Sequence, residues 1–273
     1  MVRAALAEDI GLGDVTTLAT VPADAVAAAV MVAREPLVVC GLPVAEAVFR
    51  EVSAGLNLAS AAADGQRVAK GQALLTIQGS ARAILTAERT ALNFAQRLSG
   101  VATLTSRFVE AVAGTGAQIL DTRKTTPGWR HLEKYAVQCG GGVNHRMGLF
   151  DRILIKDNHL AASRGEPPNA IEAAVRRARA QFPHLAVEVE ADTLEQAGQA
   201  RRAGADVILL DNMSNQDLRA AVRLIDGRAK TEASGGVTLA TVRAIAETGV
   251  DFISVGALTH SAPAADIALD FQT

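Results

Sequence analysis

The sequence predicts an α/β fold with parallel strands in its second part, arranged either as a barrel or as an open doubly wound sheet. From residue 117 onward, short apolar segments with strand character alternate with short amphipathic helices. Residues 203–211 and 248–256 also repeat one pattern, in which a glycine closes a helix and an aspartate opens a buried strand. Repeated βα units build parallel strands joined by right-handed crossovers, so we expect a parallel sheet in this region.

Six strands and three well-marked helices are predicted in this second part. The predicted strands are residues 118–121, 153–156, 185–190, 206–211, 229–233 and 251–256. The predicted helices are residues 193–203, 215–225 and 239–248. No GxGxxG sequence follows the first strand, which weighs against a dinucleotide-binding domain.

The first hundred residues differ in character and are predicted to form a separate domain. Strand-like segments at 28–33 and 73–77 are bounded by Gly and Pro, and residues 64–71 between them have the composition of a hairpin. Apolar residues at helical spacing predict a helix over 81–98, with Arg89 inside its apolar stripe. We therefore expect domains over 1–100 and 101–273, with a C-terminal tail that returns to the first domain.

Composition restricts the class of protein. The 273 residues are 49% hydrophobic and 21% charged, which is typical of a globular protein with an ample core. Because aromatic residues are only 3% and the net charge is −2, we expect no nucleic-acid partner. The longest apolar run is too short to cross a bilayer, so we expect no membrane partner. Cys40 and Cys139 have neither disulfide-framework nor zinc-site spacing, which suits a reducing cytoplasm.

Polar or glycine residues stand at the ends of almost all the predicted strands. They are Asp121, Lys156, Glu190, Asp211, the segment Ser234-Gly235-Gly236, and Gly256. A single charge at a strand end means little, but strand C-termini share one face of a βα barrel, where the active site lies. Five or six such residues at successive strand ends therefore predict a functional site.

The window from Asp121 to His159 is locally basic. It holds seven Lys and Arg residues against four acidic residues, in a chain of net charge −2. The alternative is a solvated charged loop, which the pliant Gly140-Gly141-Gly142 segment beside Asn144-His145-Arg146 makes less favourable. Because Arg can bind a carboxylate or phosphate through two parallel hydrogen bonds, the cluster indicates a small polyanionic substrate.

Two further groups of strand-end residues favour a phosphate-bearing ligand. Backbone N–H groups at Ser234-Gly235-Gly236, before a helix expected to begin near Thr238, would form a phosphate cradle with Gly256-Ala257 as its second wall. Glu190 and Asp211 could hold Mg²⁺ through water or bind ribose hydroxyls. With cations beside them, these carboxylates fit a diphosphate leaving group better than a glycosidase pair.

Several stretches resemble the quinolinate phosphoribosyltransferase family, and the likeness covers nearly the whole chain. They are residues 88–100, 121–128, 133–142, 144–146, 155–159, 187–190, 210–212, 234–236 and 255–260. The Thr122-Arg123-Lys124 and Asn144-His145-Arg146 stretches are highly specific. The resemblance implies an N-terminal α/β sandwich, an irregular parallel α/β barrel with fewer than eight strands, and a homodimer or higher oligomer with shared active sites.

The resemblance also implies roles for individual residues. Arg123, His145 and Arg146 would bind the carboxylates of quinolinate, with Arg89 supplied by the other subunit. Lys124 and Lys156 match residues near the diphosphate and the reacting centre, while Glu190 and Asp211 match the ribose and Mg²⁺ contacts; these four are the expected catalytic residues. The matches to the 5′-phosphate cradle are Ser234, Gly235, Gly236, Gly256 and Ala257.

The implied activity is phosphoribosyl transfer from phosphoribosyl diphosphate to quinolinate with decarboxylation. The products are nicotinate mononucleotide, diphosphate and CO₂, in de novo NAD synthesis. Mg²⁺ is expected to enter with the diphosphate substrate, and no organic cofactor is expected. One alternative is a molybdenum-transport-associated relative of the same fold, which diverges around the Asn-His-Arg and Lys-Asp-Asn-His stretches that are intact here. Another is a non-catalytic barrel that binds phosphorylated ligands.

Overall fold

A computed structural model describes residues 1–162 and 165–272. The helices are α1 (Val2–Ile10), α2 (Val15–Thr20), α3 (Leu42–Val52), α4 (Ala81–Ala111), α5 (Arg130–Cys139), α6 (Asp157–Ala162), α7 (Ala170–Gln181), α8 (Leu194–Ala203), α9 (Asn215–Ile225), α10 (Val242–Ala246) and α11 (Ala257–His260). The strands are β1 (Val26–Ala33), β2 (Leu37–Val38), β3 (Asn57–Ser60), β4 (Arg67–Val68), β5 (Ala73–Ser80), β6 (Gln118–Leu120), β7 (Ile153–Ile155), β8 (Val187–Ala191), β9 (Val207–Asp211), β10 (Lys230–Ser234), β11 (Phe252–Ser254) and β12 (Ile267–Phe271). Within the described ranges, no helix has both the length and the apolar character needed to span a membrane.

Six parallel strands form one sheet in the order β6-β11-β10-β9-β8-β7. The α/β class, the parallel pairing and the strand count below eight are confirmed. Closure into a barrel is not found, because β6 and β7 do not pair with each other among the described residues. The backbone of Val143 lies against β6 instead, with Val143 N–H donating to Ile119 and Asp121 N–H donating to Val143.

The repeated sequence pattern corresponds to a repeated structural device. Gly204 and Gly249 follow α8 and α10 with left-handed φ angles of 77° and 93°, which glycine adopts without strain. Two residues later, Asp206 accepts the N–H of Val187 at 2.6 Å. In the second repeat, Asp251 accepts the N–H of Thr231 at 2.9 Å. Each aspartate therefore ties the start of its own strand to the start of the neighbouring strand.

A four-stranded sheet is antiparallel, with the order β12-β1-β5-β3, and β2 and β4 form a separate two-stranded sheet. Its edge strand β12 comes from the C-terminus and pairs with β1 from Ala29↔Phe271 to Ala33↔Ile267. The predicted hairpin at 64–71 is wrong, because β4 within it pairs with β2 rather than with a neighbour in the chain. Two turns, each with a left-handed glycine, flank β4.

Two corrections concern α4. The helix continues to Ala111 rather than ending near 98, because buried residues such as Val101 and Phe108 extend its apolar face. Arg89 is exposed, so the prediction that it lies inside the apolar stripe is wrong. Arg97, two turns further on, donates from Nη2 to the fully buried carboxylate of Glu133 at 2.7 Å.

The chain divides into two compact units. One comprises residues 1–106, 132–141 and 261–273, and the other comprises 107–131 and 142–260. The antiparallel sheet lies in the first unit and the parallel sheet in the second. The units are discontinuous in sequence, and the domain boundary at residue 100 stays a prediction.

Gly100 offers a test of packing in the first unit. An added Cβ there would lie 2.0 Å from the backbone oxygen of Pro263. We expect Gly100→Ala to lower the free energy of unfolding by about 1–3 kcal/mol, the usual cost of overpacking. Gly116→Ala is the control, since nothing lies within 4 Å of its added Cβ. Urea denaturation of both variants should separate them, and equal midpoints would contradict this packing.

Candidate active site

A cavity of about 620 Å³ lies in the second unit, at the C-terminal ends of the parallel strands. Ten of the thirteen predicted site residues line it. They are Arg123, Lys124, His145, Arg146, Lys156, Glu190, Asp211, Ser234, Gly235 and Gly236. Residues separated by as many as 113 positions in sequence, from Arg123 to Gly236, therefore meet around one space.

Three predicted residues are not part of this lining. Arg89 belongs to the first unit, on the exposed side of α4. Gly256 and Ala257 follow β11 in the second unit. An added Cβ on Gly256 would lie 3.1 Å from Cδ of Lys124, so the missing side chain leaves room for that lysine. Thr259, in α11, donates to the backbone oxygen of Lys124 at 2.8 Å.

Sequence reasoning missed six residues of the lining. They are Thr122, Leu154, Leu209, Asn212, Glu232 and Ser254. Four of these stand two positions before a predicted strand-end residue, as Glu232 does before Ser234. Because side chains alternate across a strand with a period of two, each shares a face with the residue at its strand end. This two-residue alternation was the sequence signal that could have identified these four residues.

A buried charge cluster stands at the cavity. Nε2 of His145 lies 2.9 Å from Oε2 of Glu188 and 3.5 Å from Oε2 of Glu232. Nη1 of Arg152 contacts Glu188 at 3.3 Å. Ser254 donates its hydroxyl to Glu232. Both glutamates are buried, and pairing of this kind offsets the cost of burying charge.

The cluster changes the titration of its members. Burial alone would lower the pKa of His145, but the hydrogen bonds and charges of Glu188 and Glu232 outweigh it and raise the pKa to about 9. The backbone N–H of Arg146 donates to Nδ1 at 2.8 Å, which suits the neutral ring. The two carboxylates beside Nε2 favour the charged ring, whereas the N–H of Arg146 can donate to Nδ1 only while Nδ1 carries no proton. Burial and the neighbouring Glu188 raise the pKa of Glu232.

The guanidinium groups at the cavity are poorly neutralised. Burial and the nearby charge of Arg123 lower the pKa of Arg146. Nε of Arg123 is buried and has no hydrogen-bond partner among the described residues. Because a buried donor without a partner costs about 1–3 kcal/mol, an anion placed between these arginines would be favoured.

Oxygen ligands occupy neighbouring strand ends. Glu190, the last residue but one of β8, lines the cavity and accepts a hydrogen bond from Nζ of Lys156 at 2.8 Å. Asp211, the last residue of β9, accepts from the side-chain amide of Asn212 at 2.6 Å. Carboxylate oxygens are ligands that Mg²⁺ prefers, so this pair fits a magnesium ion bound directly or through water. His145, Glu188 and Glu232 also have ligand atoms within 4.8 Å of one another, although hydrogen bonds already link them.

The Ser234-Gly235-Gly236 segment makes a tight turn at the cavity. Gly235 and Gly236 have φ angles of +98° and +59°, in the left-handed region that favours glycine. A Cβ on Gly235 would lie 2.1 Å from Oδ1 of Asn212, so only glycine fits. The following helix begins at Val242, so the prediction that it begins near Thr238 is wrong and its N-terminus does not adjoin the turn.

The fold and the cavity together define a class of protein, an α/β protein with a cavity lined by arginine, lysine and carboxylate side chains at the carboxyl edge of a parallel sheet. Family models agree. The N-terminal domain model of quinolinate phosphoribosyl transferase matches residues 14–99, and the C-terminal domain model matches residues 101–270. The chain belongs to the quinolinate phosphoribosyltransferase family, which confirms the resemblance found in the sequence.

Relatives and solved structures support this assignment. A nicotinate-nucleotide pyrophosphorylase (carboxylating) from Mycobacterium leprae is 49% identical over 98% of this chain and 95% of its own length. A quinolinate phosphoribosyltransferase (decarboxylating) from Nicotiana tabacum is 45% identical over 100% of this chain and 82% of its own. The nicotinate-nucleotide pyrophosphorylase structure from Francisella tularensis has a TM-score of 0.93 at 42% identity, covering 99% and 94% of the two chains. These names favour the quinolinate interpretation over the molybdenum-transport alternative.

Proposed function

We propose that this protein transfers the phosphoribosyl group of phosphoribosyl diphosphate to quinolinate and releases CO₂, giving nicotinate mononucleotide for NAD synthesis. One observation carries the proposal. A single cavity combines two poorly neutralised arginines, a left-handed glycine turn and a pair of strand-end carboxylates. Those are the groups needed for a dicarboxylate, a phosphate and a ribose with its diphosphate.

Quinolinate would bind on the basic side of the cavity. Arg123 would use its unpaired Nε, and Arg146 would add a second guanidinium. His145, as a cation held by Glu188 and Glu232, would contribute positive charge rather than a proton-accepting nitrogen. A substrate with two carboxylates then relieves the mutual repulsion of these cations.

Phosphoribosyl diphosphate would occupy the remainder of the cavity. The N–H groups of Ser234, Gly235 and Gly236 would hold its 5′-phosphate, with Gly256 and Ala257 close by. Glu190 and Asp211 would bind the ribose hydroxyls or Mg²⁺, which when bound neutralises charge on the diphosphate. Lys124 and Lys156 would stabilise the same leaving group.

The chemistry needs positioning and electrostatics rather than a covalent nucleophile. The ring nitrogen of quinolinate attacks C1 of the ribose as diphosphate leaves. Lys124 and Lys156 bind the departing negative charge, while Glu190 and Asp211 stabilise the positive charge that develops on the ribose. The positive charge on the alkylated nitrogen then stabilises the electron pair left on C2 as the C2–carboxylate bond breaks, CO₂ departs, and C2 takes up a proton. We propose no organic cofactor.

The quaternary state and location belong to the same proposal. Arg89 is exposed on α4, which suits a residue supplied to another subunit's site, and we propose a homodimer with shared sites or a higher oligomer. We also propose a cytoplasmic enzyme without nucleic-acid or membrane partners.

Substrate choice tests the activity directly. Purified protein with Mg²⁺ and phosphoribosyl diphosphate should convert quinolinate to nicotinate mononucleotide and CO₂, in equal amounts. Nicotinate should not react, because it lacks the 2-carboxylate that the arginines would bind. Arg123→Gln should abolish most turnover, while Arg219→Gln, an exposed control on α9 outside the cavity lining, should not change it. Comparable turnover of nicotinate would contradict the proposal.

The phosphate cradle has a matched pair of glycines. Gly235→Ala places a methyl group against Asn212, and Gly236→Ala places one in open space at a similarly left-handed backbone. We expect Gly235→Ala to raise the KM for phosphoribosyl diphosphate by roughly tenfold, as for loss of one charge-assisted hydrogen bond. The control, Gly236→Ala, should raise this KM by a smaller factor. An equal rise in both variants would attribute the effect to backbone strain instead.

Mixing two inactive variants tests the shared site. A heterodimer of Arg89→Ala and Lys124→Ala would contain one site with both defects and one with neither. If subunits exchange freely, about half of the dimers are mixed and half of their sites intact, so activity should recover toward about one quarter of wild type. Exchange is verified independently by native mass spectrometry. With exchange verified, absent recovery would mean that Arg89 does not act across the interface.

A further inference from the structure

Two cysteines that are distant in sequence meet in the first unit. The sulfur atoms of Cys40 and Cys139 and a carboxylate oxygen of Asp64 all lie within 4.8 Å of one another. Tyr135 lies one turn before Cys139 on α5. None of these four residues lines the cavity of the second unit.

The two thiols occupy unequal environments. Cys40 is fully buried just before α3, and its backbone N–H and oxygen both bond to the hydroxyl of Ser99. Cys139 is the last residue of α5 and is only half-buried, so a small reagent can reach it. Asp64 accepts the N–H groups of Gly41 and Leu42, which fixes the chain beside Cys40.

Hydrogen bonding adds a chemical difference. Donation from the Cys40 thiol, followed by that from Tyr135, lowers the pKa of Cys139. The same contact with Cys139, together with burial, raises the pKa of Cys40. Cys139 is therefore the more acidic and the less buried of the two thiols. Accessible thiolates next to a second cysteine are typical of peroxide-reactive sites.

We propose that Cys139 and Cys40 form a peroxide-reactive pair, in which Cys139 is oxidised first and Cys40 then closes an intramolecular disulfide. The pair is a modification site separate from the transferase cavity. Its co-substrate is a hydroperoxide, hydrogen peroxide or a small organic one.

The two steps balance as follows. The Cys139 thiolate attacks the terminal oxygen of the hydroperoxide, an S–O bond forms as the O–O bond breaks, and the alkoxide or hydroxide takes up a proton and leaves. Cys139 is now a sulfenic acid, oxidised by two electrons. Cys40 loses its proton and attacks the Cys139 sulfur, an S–S bond forms as the S–O bond breaks, and water leaves.

The experiment uses the intact protein and hydrogen peroxide. Wild type should lose both free thiols and become two hydrogen atoms lighter, and digestion should yield one peptide pair joining Cys40 to Cys139. Dithiothreitol should reverse both changes. Unchanged thiol content after excess peroxide, or a disulfide only between chains, would overturn the proposal.

Variants separate the two roles. Cys40→Ser, with Cys40→Ala as a second version in case serine destabilises the core, should stop at a Cys139 sulfenic acid that dimedone captures. Cys139→Ser should leave Cys40 unmodified. Tyr135→Phe removes one donor to the thiolate, so oxidation should slow by roughly two- to fourfold after allowing for the higher nucleophilicity of a less acidic thiol. Dimedone labelling of Cys40 in Cys139→Ser would overturn the order.

The same donors could instead hold a thiophilic metal ion, and one measurement distinguishes this. Metal analysis of the purified protein, followed by Co²⁺ substitution, reports thiolate ligation as a charge-transfer absorption band. We expect no stoichiometric metal and no such band. A stoichiometric Zn²⁺ ion, lost in Cys40→Ser and Cys139→Ser, would overturn the redox proposal.

Discussion

The contact of His145 with Glu188 and Glu232 is the interaction on which the cavity depends. Glu188 lies on β8 and Glu232 on β10, so the imidazole neutralises carboxylates from two strands that flank β9. Buried carboxylates persist in a protein core only when paired, and removing one partner of a buried pair typically costs about 3–5 kcal/mol. The segment that supplies His145 also occupies the edge of β6 through Val143. Keeping those charges paired therefore fixes Arg146, the next residue, at the cavity.

Electrostatic strain is concentrated where the ligand is expected. Arg123 is near enough to Arg146 to lower the pKa of that guanidinium, and the buried Nε of Arg123 has no protein partner in the part of the chain described. The carboxylates of Glu190 and Asp211, in contrast, each accept a hydrogen bond, from Lys156 and Asn212 respectively. An unpaired buried donor on Arg123 beside a second guanidinium indicates that the ligand brings negative charge to this side of the cavity.

The sequence predicted the parallel strands well because their signals are local. The βα rhythm, the two Gly-x-Asp repeats and the polar strand ends each depend on residues within one element. In the sequence, Glu188 and Glu232 look like ordinary strand positions. Their role becomes visible only in the folded chain, where the loop that carries His145 lies beside β8 and β10. The sequence also did not show that the sheet stays open. Val143 lies along the edge of β6, and nothing in the local sequence marks it as a strand residue. The exposure of Arg89 depends on which face of a long helix finds partners, and only the tertiary structure decides that.

The pairing of β12 with β1 has a consequence for synthesis of the chain. One edge of β1 pairs with β5, but the other edge receives its partner only from residues 267–271, which are synthesised after every residue of the second unit. The usual order, with the N-terminal portion complete first, is therefore reversed here. During that interval the apolar β1 presents an unpaired edge, the kind of surface that recruits foreign strands. A chain that stalls before residues 267–271 is consequently more exposed to aggregation than the short length of that strand suggests.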